Sequence, residues 1–109
     1  MYRLLAVLLA LIIGATNLGC AQRRLHQKEF NLREALFVTR AEIAQFTLDK
    51  RQPPTSLAEL VTAGYLKEVP VDPLTGKNDT WKTEERPNSL QVHSGSDGIA
   101  SDGTRYRSW

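Results

Sequence analysis

Between Leu25 and Lys50 the apolar residues Leu25, Leu32, Leu36, Ile43 and Phe46 recur at intervals of seven, four, seven and three, the spacing that gathers side chains on one face of a helix. Arg33, Glu34, Arg40, Glu42 and Asp49 fall mostly off that stripe, and neither Pro nor Gly interrupts the run from Cys20 to Gln52. The pattern predicts one long amphipathic helix over Leu25 to Lys50. At 1.5 Å per residue it would be roughly 39 Å long, more than the width of a domain this small, so part of it should project beyond whatever it packs against. Burying five such side chains is worth on the order of 10 kcal/mol gross, and only the later segments can supply the covering surface.

Those segments read as short elements. Arg51-Gln52-Pro53-Pro54 ends the helix, because each proline lacks an amide donor and Pro53 disfavours helical geometry at Gln52. Thr55-Ser56-Leu57-Ala58-Glu59 then offers a capping box, with the Ser56 hydroxyl and the Glu59 carboxylate satisfying each other's free amides. A helix over 56–63 follows, with Leu57, Leu60 and Val61 on one face and Gly64 placed to close it in a left-handed conformation. Lys67 to Asp79, with Pro70, Pro73 and Gly76, reads as an ordered loop holding a compact turn at Asp72-Pro73-Leu74-Thr75-Gly76. Trp81 to Glu85 and Ser89 to Ser94 are expected to form a hairpin around Arg86-Pro87-Asn88, with Leu90 and Val92 on one face. Ser94 to Gly103 is a Gly-rich loop, and Thr104 to Trp109 is expected to add a third strand. The fold class is α+β: a long N-terminal helix packed on a small antiparallel sheet.

A chain of 109 residues suffices for one small domain. Its 14 Lys and Arg are interspersed with 12 Asp and Glu, so no basic stripe of the kind nucleic acid requires is present. The one basic cluster, Arg23, Arg24 and Lys28, follows a hydrophobic segment and is expected to face lipid headgroups. That segment is an export signal in outline: Arg3, then uninterrupted apolar sequence from Leu4 to Ile13, then small and polar residues up to Gly19. Its apolar run is short of the roughly 20 residues that span a bilayer. The expected division is a signal peptide or membrane anchor at 1–19 and a periplasmic domain at 20–109. Cleavage before Cys20 would remove Arg3 and lower the net charge from +2 to +1.

Cys20 is the only cysteine, so no internal disulfide is available. The segment ending at Cys20 resembles a bacterial lipobox: Gly19 fits the position before the modified cysteine, whereas Asn17 and Leu18 depart from the usual pattern. The resemblance implies lipidation at Cys20, against a plain thiol in an uncleaved anchor.

Further along, the order of residues is similar to the soluble part of the major pseudopilin of type II secretion systems. The likeness rests on Gln45-Phe46-Thr47-Leu48-Asp49-Lys50, Pro54-Thr55-Ser56-Leu57, Glu59-Leu60-Val61 and Gly64-Tyr65-Leu66. It continues through Val69-Pro70-Val71-Asp72-Pro73 and Trp81 to Ser94-Gly95-Ser96-Asp97-Gly98, covering about residues 32–109. It implies a pilin-like fold and membership of a periplasmic filament or its machinery. The amino end departs from that family, since Phe30 and Glu34 mimic its Phe and Glu but Glu29 stands in place of the processing-site Gly. Arg33, Arg40 and Glu42 follow in turns that the family keeps in lipid, where each charge costs about 2.5 to 3.5 kcal/mol. The expectation is therefore a lipid-anchored, non-polymerising relative. It would face the periplasm from the cell envelope as a structural or interaction component of a type II secretion or type IV pilus-like system. A filament subunit retaining residues 4–19, or a stand-alone module binding peptide or glycan at its hairpin edge, are the competing readings.

Asp97 and Asp102 flank the Gly-rich loop, with Ser94, Ser96 and Ser101 close by, and hard cations take oxygen ligands from such loops. The resemblance implies calcium held by Asp97 and the Ser94 carbonyl, with Asp102 as the remaining carboxylate. The bland reading makes both Asp residues turn formers. His26 and His93 have no zinc spacing, and nothing places the Ser, His and Asp residues for nucleophilic catalysis, so no enzymatic activity or small-molecule substrate is expected. Trp81, Tyr106 and Trp109 are assigned to core packing.

Overall fold

The computed structural model describes residues 19–109. Helix α1, Tyr2–Lys50, enters that range at Gly19, and residues 1–18 of the expected signal segment lie outside the described residues. No helix among the described residues is long and apolar enough to cross a membrane. Helix α2 spans Leu57–Thr62, and strands β1, Lys82–Arg86, and β2, Ser89–His93, pair antiparallel. A 3-10 turn at Tyr106–Ser108 ends the chain. The architecture is α+β, one long helix packed on a two-stranded sheet.

The apolar stripe of α1 is buried where the spacing places it: Leu32, Leu36, Ile43 and Phe46 join Leu57, Leu60, Leu90, Val92, Ala100 and Tyr106 in one core. Leu25 is the exception. It stays exposed, because the domain first covers α1 at Glu29 and the turns before that project beyond it. At its other end α1 stops on Arg51, whose φ of 58° is left-handed, a conformation that costs a non-glycine residue about 1 to 2 kcal/mol.

The short helix follows its local signals with one shift. The Glu59 amide donates to Ser56 Oγ at 3.2 Å, but the Glu59 carboxylate accepts from the amide and hydroxyl of Thr55, one residue earlier than the expected reciprocal partner. At the other end Tyr65 N donates to Leu60 O and Gly64 N to Val61 O, with Gly64 at φ +87°. This paired closure satisfies two helix carbonyls and needs a left-handed residue at Gly64.

The sheet is narrower than the sequence pattern implies. β1 runs from Lys82 rather than Trp81, and β2 ends at His93 rather than Ser94. β2 turns Leu90 and Val92 onto α1, while all five residues of β1 are exposed. The expected third strand over Thr104 to Trp109 does not form. Ala100 N donates to Thr104 O at 2.6 Å across Gly103, which sits at φ +87°, so the chain reverses tightly and only an isolated bridge, Ile99 to Arg105, remains. The rest of the cover over the core comes from α2 and from irregular chain carrying Tyr65, Leu66, Val69, Leu74, Trp81 and Trp109.

Irregular chain this close-packed leaves little slack. A Cβ built on Gly95 lands inside contact with the main-chain carbonyl of Thr80, which no flexible side chain can relieve. Gly95→Ala is expected to destabilise the fold by about 2 kcal/mol or more, lowering the melting temperature by roughly 10 °C in a thermal melt.

Candidate functional site

Two buried carboxylates hold the irregular segments in place. Asp72 is fully buried in the turn after Pro70. Its Oδ1 accepts from Leu74 N at 2.9 Å, and its Oδ2 accepts from Ser94 Oγ and Gly95 N, both at 2.8 Å. Its own amide donates to Lys77 O, and Gly76 N donates to Asp72 O, closing the turn. The Pro-rich loop is thereby tied to the segment leaving β2.

Glu29 does the same for the carboxyl end. It is 7% exposed on α1, where Oε1 accepts from Ser101 N at 2.7 Å and Tyr106 Oη at 2.9 Å, and Oε2 accepts from Ser101 Oγ at 2.6 Å. Burial works against its charge, but the bonds from Ser101 and Tyr106, with His26 nearby, outweigh it and hold the carboxyl below its ordinary range. The Tyr106 phenol is pushed up to about 12, by burial first and by the Glu29 carboxylate beside it.

One turn and then three turns further on, α1 presents two guanidinium groups to the last residue. Arg33 lies 3.8 Å from the centre of the Trp109 ring, a stacked cation on an aromatic face. Arg40 Nη2 donates to Val92 O at 2.9 Å and to the Trp109 main-chain oxygen at 2.5 Å, and His93 Nδ1 lies 3.0 Å from the same oxygen. Between α1 and this segment lies an open groove of about 730 Å³. Comparison of the chain with protein-family models, curated proteins and solved structures finds no match to any of them.

Of the residues singled out in the sequence, Cys20 is exposed on the projecting part of α1 with a free thiol. Ser94 is buried, its hydroxyl donated to Asp72. Asp97 is exposed and its Oδ1 accepts from Lys82 Nζ at 2.6 Å, which holds the carboxyl below its usual range. Asp102 accepts from the hydroxyl and amide of Thr104 and lies 3.9 Å from Arg33, and it too is held low, chiefly by Thr104. Each of the three is thus engaged by a different partner, and among the described residues no three His, Cys, Asp or Glu side chains converge as a metal site would require. Trp81 and Trp109 are half-buried and Tyr106 is buried, all against the core as expected.

Sequence reasoning missed Glu29, Asp72 and Arg40. Glu29 carried a signal, since it lies four residues after Leu25 and three before Leu32, a charge set within the apolar stripe. A carboxylate in that position requires donors from elsewhere in the fold.

Glu29→Ala is expected to cost about 2 kcal/mol in chemical denaturation, because the amide of Ser101 and the hydroxyl of Tyr106 lose a charged acceptor. The carboxylate's contribution is fully present above its ordinary pKa and is lost as pH falls through the lowered value, so Glu29→Gln should flatten the acid limb of a stability profile. The raised Tyr106 acts at the other limb. Stability should fall as pH rises from 10 towards about 12, and Tyr106→Phe should reduce that loss. With Lys82 on Asp97, equal melting temperatures are expected in millimolar calcium and in chelator; a calcium-dependent rise lost in Asp97→Ala would restore the cation site.

Proposed function

We propose that this chain is a lipid-anchored, periplasm-facing structural or interaction component of a type II secretion or type IV pilus-like apparatus, with no catalytic role. The observation that carries the reading is the overhang at the start of the described part of α1. Residues 20–28 are all exposed, the domain begins to cover the helix only at Glu29, and the overhang bears Cys20, Arg23, Arg24 and Lys28. An exposed cysteine followed within three turns by three cations suits a diacylglyceryl anchor at a membrane whose headgroups are anionic, each cation adding about 1 kcal/mol near such a surface. A rigid helix then carries the domain away from that surface.

The residue order shared with the soluble part of pseudopilins supports the assignment to secretion machinery, and the helix laid across a small antiparallel sheet agrees with it. The charges at Arg33, Arg40 and Glu42 argue for an anchored accessory rather than a subunit whose helix bundles in lipid. The groove beside Trp109 is open, and the buried carboxylates Glu29 and Asp72 lie elsewhere and are spent on structural bonds, which suits a docking protein better than an enzyme.

Intact mass measurement of the protein from its native membrane fraction tests the reading. The expected species begins at a lipidated Cys20, and Cys20→Ala should release the domain from the membrane fraction. A retained Met1 would support the filament subunit instead, and affinity recovery of a soluble ligand without secretion-system subunits would support the stand-alone module.

A further inference from the structure

Helix α1 carries a second apolar stripe, on the face turned away from the sheet. Phe30 is 55% exposed, Phe37 75% and Leu48 74%, and with Ala41 they fall within about 40° of one another on a helix that turns roughly 100° per residue. Exposed Val38 lies at one edge. Two shallow clefts meet on this stripe at Arg33 and Phe37: the groove towards Trp109, and a second of about 490 Å³ bounded by Phe30, Glu34 and Val38. None of the described residues covers it, since the core lies on the opposite face. Single exposed apolar residues are ordinary on a protein surface. Two phenylalanines and a leucine aligned along five turns form a continuous ridge.

The charges along the ridge say what fits it. Between residues 30 and 49 the Trp109 side carries Arg33 and, already bound to Val92 O and Trp109 O, Arg40, while the other side carries Glu34 beside the stripe and Asp49 and Glu42 farther round. When two helices pack in parallel, opposite edges of their stripes face one another; when they pack antiparallel, like edges meet. Two copies of this helix in parallel therefore set the basic edge of one against the acidic edge of the other, with Glu34 reaching towards the partner's Arg33. Antiparallel copies would set arginine against arginine. Arg33 stacks on Trp109 at 3.8 Å and approaches Asp102 at 3.9 Å, yet its side chain stays 61% exposed, which leaves its guanidinium accessible to a partner's acid.

We infer that the outer stripe of α1 is a self-docking surface, closed by a second copy of this chain whose helix lies parallel to the first. The contact is isologous: Phe37 of each copy packs near the symmetry axis, and the two domains sit on opposite outer sides of the helix pair. It uses a face that neither the core nor the lipid anchor occupies, so it stands whether or not the chain works in a secretion apparatus.

Sedimentation equilibrium of the full chain in density-matched mild detergent tests it. A closed dimer is expected at protein concentrations of about 100 μM. Phe37→Lys, at a position too exposed to unfold the domain, should weaken the dimer by about tenfold or more with an unchanged thermal melt. Glu34→Lys separates the orientations, because it removes the acid that meets Arg33 in the parallel pair and should weaken association several-fold. In an antiparallel pair the same change would leave association equal or tighter. A monomer throughout the range, open-ended growth, a dimer indifferent to Phe37→Lys, or a dimer unchanged or tightened by Glu34→Lys would each overturn the inference.

Discussion

A long helix must bury an apolar stripe against very little regular structure. Leu32, Leu36, Ile43 and Phe46 require a cover about four turns long, and only one strand, β2, turns side chains towards them. The remaining cover is α2 and loop. A strand is held in place by its ladder, whereas a loop packed on a core must find partners for its amides one at a time. Glu29 and Asp72 meet that requirement. Each is a buried carboxylate accepting three bonds, all of those to Glu29 and two of those to Asp72 coming from segments far away in the chain, so each converts loose chain into a fixed wall of the core. A carboxylate suits the task because it offers several acceptor sites at one point, and because bonds to a charged acceptor are the stronger ones.

The parts of the fold that could be read in the sequence are those whose causes are local. The stripe of α1, the Ser56 cap, the left-handed Gly64 and the alternation of Leu90 and Val92 all depend on residues within a few positions of one another. What could not be read depends on pairs 22 to 77 residues apart, from Ser94 with Asp72 to Tyr106 with Glu29. The third strand failed for the same reason. Thr104 to Trp109 has strand-like composition, but its course is set by Tyr106 reaching Glu29 and by Arg40 holding the Trp109 main chain, and both of those partners lie on α1. At the candidate cation site the sequence places Asp97 in a turn, and the fold adds a partner that the sequence does not show: Lys82, on the first hairpin strand, donates to it at 2.6 Å.

The hairpin edge bears on the competing reading of a peptide-binding module. β1 is the strand that does not pack on α1, and its side chains Lys82, Glu84, Glu85 and Arg86 are all charged. Such an edge resists the addition of another strand, because an incoming chain must displace hydrated charges of both signs to reach the backbone. The surface that lacks this protection is on the helix.

A helix with apolar stripes on two opposite faces is ordinarily found buried on both. Here one face is covered by the domain and the other meets solvent, and between residues 30 and 49 the charged residues are sorted to the flanks, Arg33 and Arg40 on one side and Glu34, Glu42 and Asp49 on the other. Solubility alone would be served by mixing the two signs along both flanks and by replacing Phe37 with any polar residue. Segregated flanks are instead a device for orientation: they leave a pair of parallel helices attractive along both edges of the contact and make the reversed pair repulsive along both. The inner stripe specifies the fold of one chain, and the outer stripe, by the same physics of burial, specifies how a second would lie beside it.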